Sequence, residues 1–243
     1  MYFLSLCLIV KNEARFLHEW IGHHRLVGVE HFYVYDNDST PPAGKVLREF
    51  CDQGLVTVTD IPGEARQLDA YNDCLKTHGD RSHWLGFIDC DEFLFPRRHE
   101  DMRELLLDYE AHAGLAVNCL IFGSCGHISR PKGLQTHCYQ QRFPLEHGEH
   151  CLIKSIVQPE RTVEAAGVHH FHYTAGNSCV NELRQPVLGP FAPVSTETVR
   201  INHYFYRSQQ DYCAKLQRGH ADFPKGVMKY DLDRFYDQAR HAC

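Results

Sequence analysis

Residues 3–10, "FLSLCLIV", form a continuous apolar run of strand length that opens a repeating series. A strand that is apolar at nearly every position has no face to offer to water. It belongs in a parallel sheet covered on both sides. A helical pattern follows, with Phe16, Leu17, Trp20, Ile21 and Val27 on one face. Asn12 is placed to cap this helix, Glu13 sits at its positive end and Gly28 stops it. Residues 31–35 are a second strand, ending in the turn cluster Asp36-Asn37-Asp38-Ser39. A short helix over 46–51, a third strand over 55–59 and a second long helix over 66–77 come next. That helix carries Leu68, Tyr71 and Leu75 at helical spacing, and a fourth strand spans 84–88. The β-α-β-α-β-α-β order predicts an α/β fold with a mostly parallel central sheet and helices on both faces.

The second half is less regular. A helix over 102–112, strands over 115–122, 152–158 and 168–173, and helices over 208–219 and 231–241 are expected. "FGSCGHISRPKG" reads as a Gly-rich loop, and residues 177–198, with scattered Pro and Gly, as a long loop or lid. No internal repeat or linker divides the chain. Residues 1–243 are expected to form one domain, with a nucleotide-type half over 1–98 and a more irregular half over 99–243.

At 43% hydrophobic and 23% charged residues, the chain has the means to bury a core, which excludes general disorder. The net charge of −6 and the lack of a basic stripe exclude nucleic acid as the main partner. The eleven cysteines are odd in number, form no C-x-x-C pair and sit in apolar strands, as at Cys7, Cys90 and Cys119. They read as reduced thiols of a cytoplasmic protein. The N-terminal apolar run is too short to span a membrane and lacks the basic start and cleavage site of a signal peptide. Membrane contact is expected to be peripheral at most.

In a parallel sheet, ligands collect at the C-terminal ends of the strands. Three polar clusters lie at such ends: Lys11-Asn12-Glu13, Asp36 to Ser39, and Asp89 to Glu92. The last interrupts the apolar stretch "WLGFIDCDEFLF". Asp89 and Asp91 project to one side of extended backbone, and a hard divalent cation relieves the repulsion between them. The competing reading is a charged turn. Asp36 is suited to a base or ribose, or simply to a polar turn. Late histidines offer further ligands: His169, His170 and His172 in "VHHFHY", and His203 near Arg207 in "INHYFYRS". Any single one of them is more often a core or surface residue than a ligand.

"LIVKNEARFLHEWIGHHRLVGVEHFYVYDNDS", "WLGFIDCDEFLF" and "INHYFYRSQQDYCAKLQRGH" occur in this order over most of the chain. Together they resemble glycosyltransferase family 92 and its bacterial relatives. The resemblance implies a GT-A fold in which the D-x-D carries Mn²⁺ or Mg²⁺ on a sugar-nucleotide diphosphate. It implies that Asp36 contacts the nucleoside, Asp89 the ribose or sugar, and Asp91, with Asp89 beside it, the metal. His169 or His203, with His172 behind them, would complete the metal site. Lys11, Asn12 and Glu13 would line the donor pocket, and Arg207 would lie near the diphosphate. The implied reaction is inverting transfer of galactose or another hexose from a UDP-sugar to a glycan or lipid-linked saccharide. The base that inversion needs is open among Glu146, Glu149, Glu164, Glu182 and His127. A phosphatase or nucleotidyltransferase using the D-x-D, and a nucleotide-sugar-binding module without turnover, are the alternatives. Against the first two, the D-x-D follows the fourth strand and no Gly-rich basic loop follows the first. Glu92 has no assigned role.

Overall fold

The computed structural model describes residues 1–219, 221–224 and 230–239. The strands β1 (Tyr2–Val10), β2 (His31–Asp36), β3 (Val56–Asp60) and β4 (Ser82–Phe87) lie in the order β3-β2-β1-β4, all parallel. Both faces are covered, as the unbroken apolar pattern requires. Leu4, Leu6, Leu8, Val10, Phe32 and Val34 join one core, into which α1 (Ala14–Leu26) inserts Leu17, Trp20 and Ile21. Cys7, Ile9, Tyr33 and Tyr35 join a second core on the other face. Two short helices, α2 (Ala43–Val46) and α3 (Arg48–Asp52), replace the single one expected over 46–51. The helix α4 (Gln67–His78) covers the second core through Ala70, Tyr71 and Cys74. Leu68, expected on that face, is instead exposed. Gly86 lets β1 and β4 approach closely, since a Cβ there would lie 2.6 Å from a Leu6 methyl.

Gly28 ends α1 at φ +96°, as its sequence position predicts. Asn12 does not cap the helix. It takes a left-handed φ of +57°, and its side chain accepts the Thr40 N–H at 2.7 Å, tying the end of β1 to the turn after β2.

The second half adds β5 (Glu92–Pro96), α5 (Met102–Leu107), β6 (Gly114–Ile121), α6 (Gln135–Cys138) and β7 (Ile153–Val157). A two-stranded pair, β8 (Thr162–Ala165) and β9 (Phe171–Tyr173), stands apart from the main sheet. The strands β10 (Cys179–Val180), β11 (Pro186–Val187) and β12 (Val199–His203) and the helices α7 (Gln209–Arg218) and α8 (Leu232–Ala239) complete the described elements. The ten-stranded sheet runs β11-β10-β6-β7-β4-β1-β2-β3, with β12 pairing β6 and β5 beside it. β7 enters antiparallel between β4 and β6. Neither β5 nor β12 is expected from the local pattern, and residues 177–198, read as a loop, hold the short β10 and β11. The last residues of the helix expected over 231–241 lie outside the described ones. Among the described residues, ten cysteines are free, and no helix is long and apolar enough to cross a membrane.

Glu182 fixes the chain just ahead of β12. Its carboxylate accepts the N–H groups of Glu197, Thr198 and Val199 at 2.9, 2.7 and 3.0 Å, and the Ser195 hydroxyl. Burial pushes its carboxyl up, but these donors outweigh it and hold the group below its usual 4.5. Such a carboxylate stabilises the fold above the usual glutamate range, and the contribution is lost as pH falls through the depressed folded value. Glu182→Gln is expected to lower stability by about 1.5–3 kcal/mol at neutral pH in urea unfolding. The difference from the parent protein should shrink in acid; a constant difference down to strong acid would contradict the assignment.

Candidate active site

β1, β2 and β4 run parallel, so their C-terminal ends deliver all three polar clusters to one edge. The D-x-D forms the turn between β4 and β5. Trp20 of α1 holds it from below, its indole N–H donating to the carbonyls of Asp89 at 3.1 Å and Glu92 at 2.9 Å. Glu92 closes the turn, accepting the Asp89 N–H at 2.9 Å.

Behind the turn stands Lys154 of β7, 1% exposed. Its ammonium lies 2.8 Å from Asp89 and 3.4 Å from Glu92. The other Asp89 oxygen accepts from Gln67 at 3.0 Å and faces the Tyr71 hydroxyl at 3.5 Å. Burial pushes the Asp89 carboxyl up, yet Lys154 prevails and holds it below its usual range. Glu92, 1% exposed, stays raised by burial. Lys154 itself, pushed down by burial, is raised well above its usual value by the two acids.

Asp91 faces the other way. Lys215 of α7 lies 2.8 Å from one of its oxygens, and the His203 imidazole lies 3.5 Å from the other. Burial raises this carboxyl, but Lys215 and His203 together hold it well below its usual range. His203 also comes within 3.7 Å of Glu92. His169 donates through Nδ1 to the Ile153 carbonyl, 2.9 Å away. A carbonyl only accepts, so Nδ1 carries the proton and Nε2 keeps a free lone pair. Burial, with Lys154 adding to it, pushes His169 down to about 4, so its imidazole is neutral near pH 7. His172 is exposed on β9 and faces Glu164 at 3.4 Å, away from the D-x-D. Among the described residues, no three His, Cys, Asp or Glu side chains converge into a ready metal cage.

The first two clusters frame the same edge. Both Asp36 oxygens are spent on its own turn, accepting the N–H of Ser39 at 3.0 Å and of Ala43 at 2.7 Å. Lys11 reaches the Asn37 side chain at 3.3 Å. Glu13 is buried between Arg207, 2.8 Å away, and Arg218. Arg207 is a structural clamp on this edge: it donates to Gln135 at 3.0 Å and the Cys90 carbonyl at 3.3 Å, and lies 3.7 Å over the Phe16 ring. A cleft of about 330 Å³ opens here, bounded by Asn12, Glu13, Arg130, Arg207, Lys215 and Arg218. Lys215, Arg218 and Lys154 escape a reading of the sequence. The signal for Lys154 is a lone lysine inside the apolar run "CLIKSIV", which needs an acid to pair with once buried.

The five residues considered as base take no hydrogen bond from the turn. Glu146 is exposed, Glu149 pairs with Arg234, Glu164 faces His172, and Glu182 is saturated by backbone. His127 sits against Tyr139, ring centroids 5.7 Å apart.

The chain matches the family model for glycosyltransferase family 92 over residues 2–240. It is 32% identical to a family 92 protein of Ricinus communis over 89% of this chain and 37% of that protein. It is 30% identical to one of Oryza sativa subsp. japonica over 84% of this chain and 33% of that protein. The galactan beta-1,4-galactosyltransferase GALS2 of Arabidopsis thaliana is 26% identical over 67% of this chain and 34% of its own. The chain thus spans about a third of the length of these curated relatives. A crystal structure of S. aureus TarS 1–349 in complex with UDP has a TM-score of 0.45 at 11% identity, covering 65% of this chain and 47% of its own. With its edge motifs in order and almost its whole length matched, the chain belongs to glycosyltransferase family 92.

Proposed function

We propose that this chain is the catalytic domain of an inverting glycosyltransferase that moves a hexose, galactose in the first instance, from a UDP-sugar to a glycan or lipid-linked saccharide. Family membership supports transfer, and the galactosyltransferase relative supports galactose. The observation that carries the reading is the D-x-D turn, braced from behind by Lys154 and Trp20, with Asp91 turned toward the basic helix α7.

Lys215, Arg218 and Lys11 supply the positive charge that a diphosphate requires. Asp91 and His203 suit a divalent ion. This carboxylate and imidazole would hold a divalent ion such as Mn²⁺. His169, which feels the charges of Asp89 and His203, would offer a further nitrogen through its unprotonated Nε2. Such an ion, when bound, offsets the negative charge that builds on the departing diphosphate. Lys215 competes with it for Asp91 and balances that carboxylate before the donor arrives. Asp89 and Asp36 act through the shape of their turns, Asp89 anchored to Lys154 and Asp36 to the backbone at 39 and 43.

Asp91→Asn is expected to weaken Mn²⁺-dependent UDP binding by about ten-fold or more, the loss of one charged contact. The variant should remain cooperatively folded with a lowered melting temperature, because the carboxylate that pairs with Lys215 and His203 is gone. Unchanged metal-dependent binding by calorimetry would remove Asp91 from the site, and UDP bound without any UDP release from donors would favour a binding module.

Lys154→Met should act differently, because it strands the buried Glu92 and removes the cation from the partly buried Asp89. A loss of about 3–5 kcal/mol in stability is expected. Acid should narrow the gap, because protonating the carboxylates removes their need for a cation; thermal melting between neutral pH and pH 4 reads this directly. A gap independent of pH would reject the ion cluster as the source of the loss.

A further inference from the structure

β12 has two working faces. Register pairs His203 with Glu92 and Ile201 with Leu94, while Asn202 pairs with Phe93 and Arg200 with Phe95. Paired residues share a face, so His203 points to the D-x-D and Arg200, Asn202 and the following Tyr204 point to the back. On that back face lies a cavity of about 490 Å³, larger than the cleft beside the D-x-D. Its walls include His23 of α1, Phe95, Phe122, Arg142, Arg200 and Asn202.

Three features of these walls are unusual for a structural void. Asn202 is 4% exposed, and its carboxamide oxygen has no hydrogen-bond partner. The buried Arg200 Nε is likewise unpartnered. No ion pair is formed by Arg200 or Arg142; the charges acting most strongly on Arg200 are those of Arg97 and Arg142, both cations. The nearby acids are engaged elsewhere. Glu19 accepts the N–H groups of Gln135 and Thr136 and the Thr136 hydroxyl, and Glu197 faces Arg97 at 3.6 Å. Orphaned buried polar atoms and uncompensated guanidinium groups are costly unless a ligand completes them. A bare ion would not fill the space, which falls within the range of about 300–1,000 Å³ found for small-molecule sites. Phe95, Phe122 and Tyr204 offer apolar faces suited to a ring, and the Asn202 oxygen accepts from a hydroxyl.

We propose that the back face of β12 is a second ligand site for a sugar ring bearing an oxyanion, a carboxylate or a phosphate. Arg200 and Arg142 hold the anion, and Asn202 reads a ring hydroxyl. The site is separate from the D-x-D edge and does not depend on how that edge functions.

The test titrates the full chain with glucuronate, glucose 6-phosphate and glucose by calorimetry, with and without UDP. At least one anionic sugar should bind about ten-fold or more tightly than glucose, the gain of a charge-assisted contact. Binding of glucuronate alone identifies a carboxylate ligand, of glucose 6-phosphate alone a phosphate ligand, and of both a general oxyanion site. Arg200→Gln and Arg142→Gln, on separate segments and checked by thermal melting, should each weaken the anionic sugar by a similar factor. UDP should leave it in place. The proposal is overturned if glucose binds as tightly as both anions, or if neither anion binds at about 10 mM. It is equally overturned if both arginine variants keep the parent affinity, or if UDP displaces the anionic sugar.

Discussion

The ammonium of Lys154 against Asp89 and Glu92 is the contact on which the rest of this edge depends. An unpaired charge at 1% exposure costs several kcal/mol, so β7 cannot seat Lys154 in the sheet without the two acids. Those acids, in turn, cannot both sit beside β4 without the lysine. The pairing therefore fixes the antiparallel β7 next to β4 and the shape of the D-x-D turn together. It also divides the labour of the acids. Asp89 is held ionised against Lys154 while its side chain stays about a third exposed, and Glu92, 1% exposed, is raised by burial. Asp91 takes its counter-charges from the other side, from α7 and β12, and Lys215, which pairs with it, also lines the cleft. Glu92, which the sequence leaves without a role, is a brace: it closes the turn through the Asp89 N–H and shares the lysine.

The parallel half was readable because burial on both faces writes itself into every position. In β1, alternate residues feed two different cores, so the run is apolar throughout and its reading as a doubly covered strand follows. The polar clusters were readable as strand ends for the same reason. β5 and β12 were not. "EFLFP" continues an apolar run across a turn, and "VRINH" mixes Arg and Asn with aliphatic residues because Val199 and Ile201 join the core while Arg200 and Asn202 line a cavity on the other face. Long-range pairing decides both, and no local period encodes it. Lys154 was missed because its partners lie more than sixty residues away. Lys215 was missed because a lysine on a helix normally reads as a solvated one. Asp36 was found as a strand-end acid, but its side chain serves its own turn.

The segment from β12 through α7 carries most of the residues that line the cleft, and Arg200, Asn202 and Tyr204 of the cavity behind β12. Its register with β5 decides which of them face where. A slip by one residue would exchange His203 for Asn202 at the D-x-D and turn Arg200 inward. Glu182, which ties the backbone at 197–199, guards against that slip at the start of the strand. At the far end, Arg207 takes a left-handed φ of +49° and clamps Glu13, Gln135 and the Cys90 carbonyl. The functional side chains thus sit on regular elements fixed at both ends, which is how a site keeps its geometry.

Electrostatics at the two cavities runs against the charge of the whole chain, formally −6. At the D-x-D edge, the carboxylates of Glu13, Asp89, Asp91 and Glu92 face the cations Lys11, Lys154, Arg207, Lys215 and Arg218. Each of these acids has a cation against it. Behind β12, Arg142 and Arg200 have no acid at all. Fields at close range are set by these groups rather than by the distant surface acids, which solvent ions screen beyond roughly 10 Å. Against the net negative charge of the chain, the cationic groups lining these two cavities are the local attraction that a negatively charged ligand would meet.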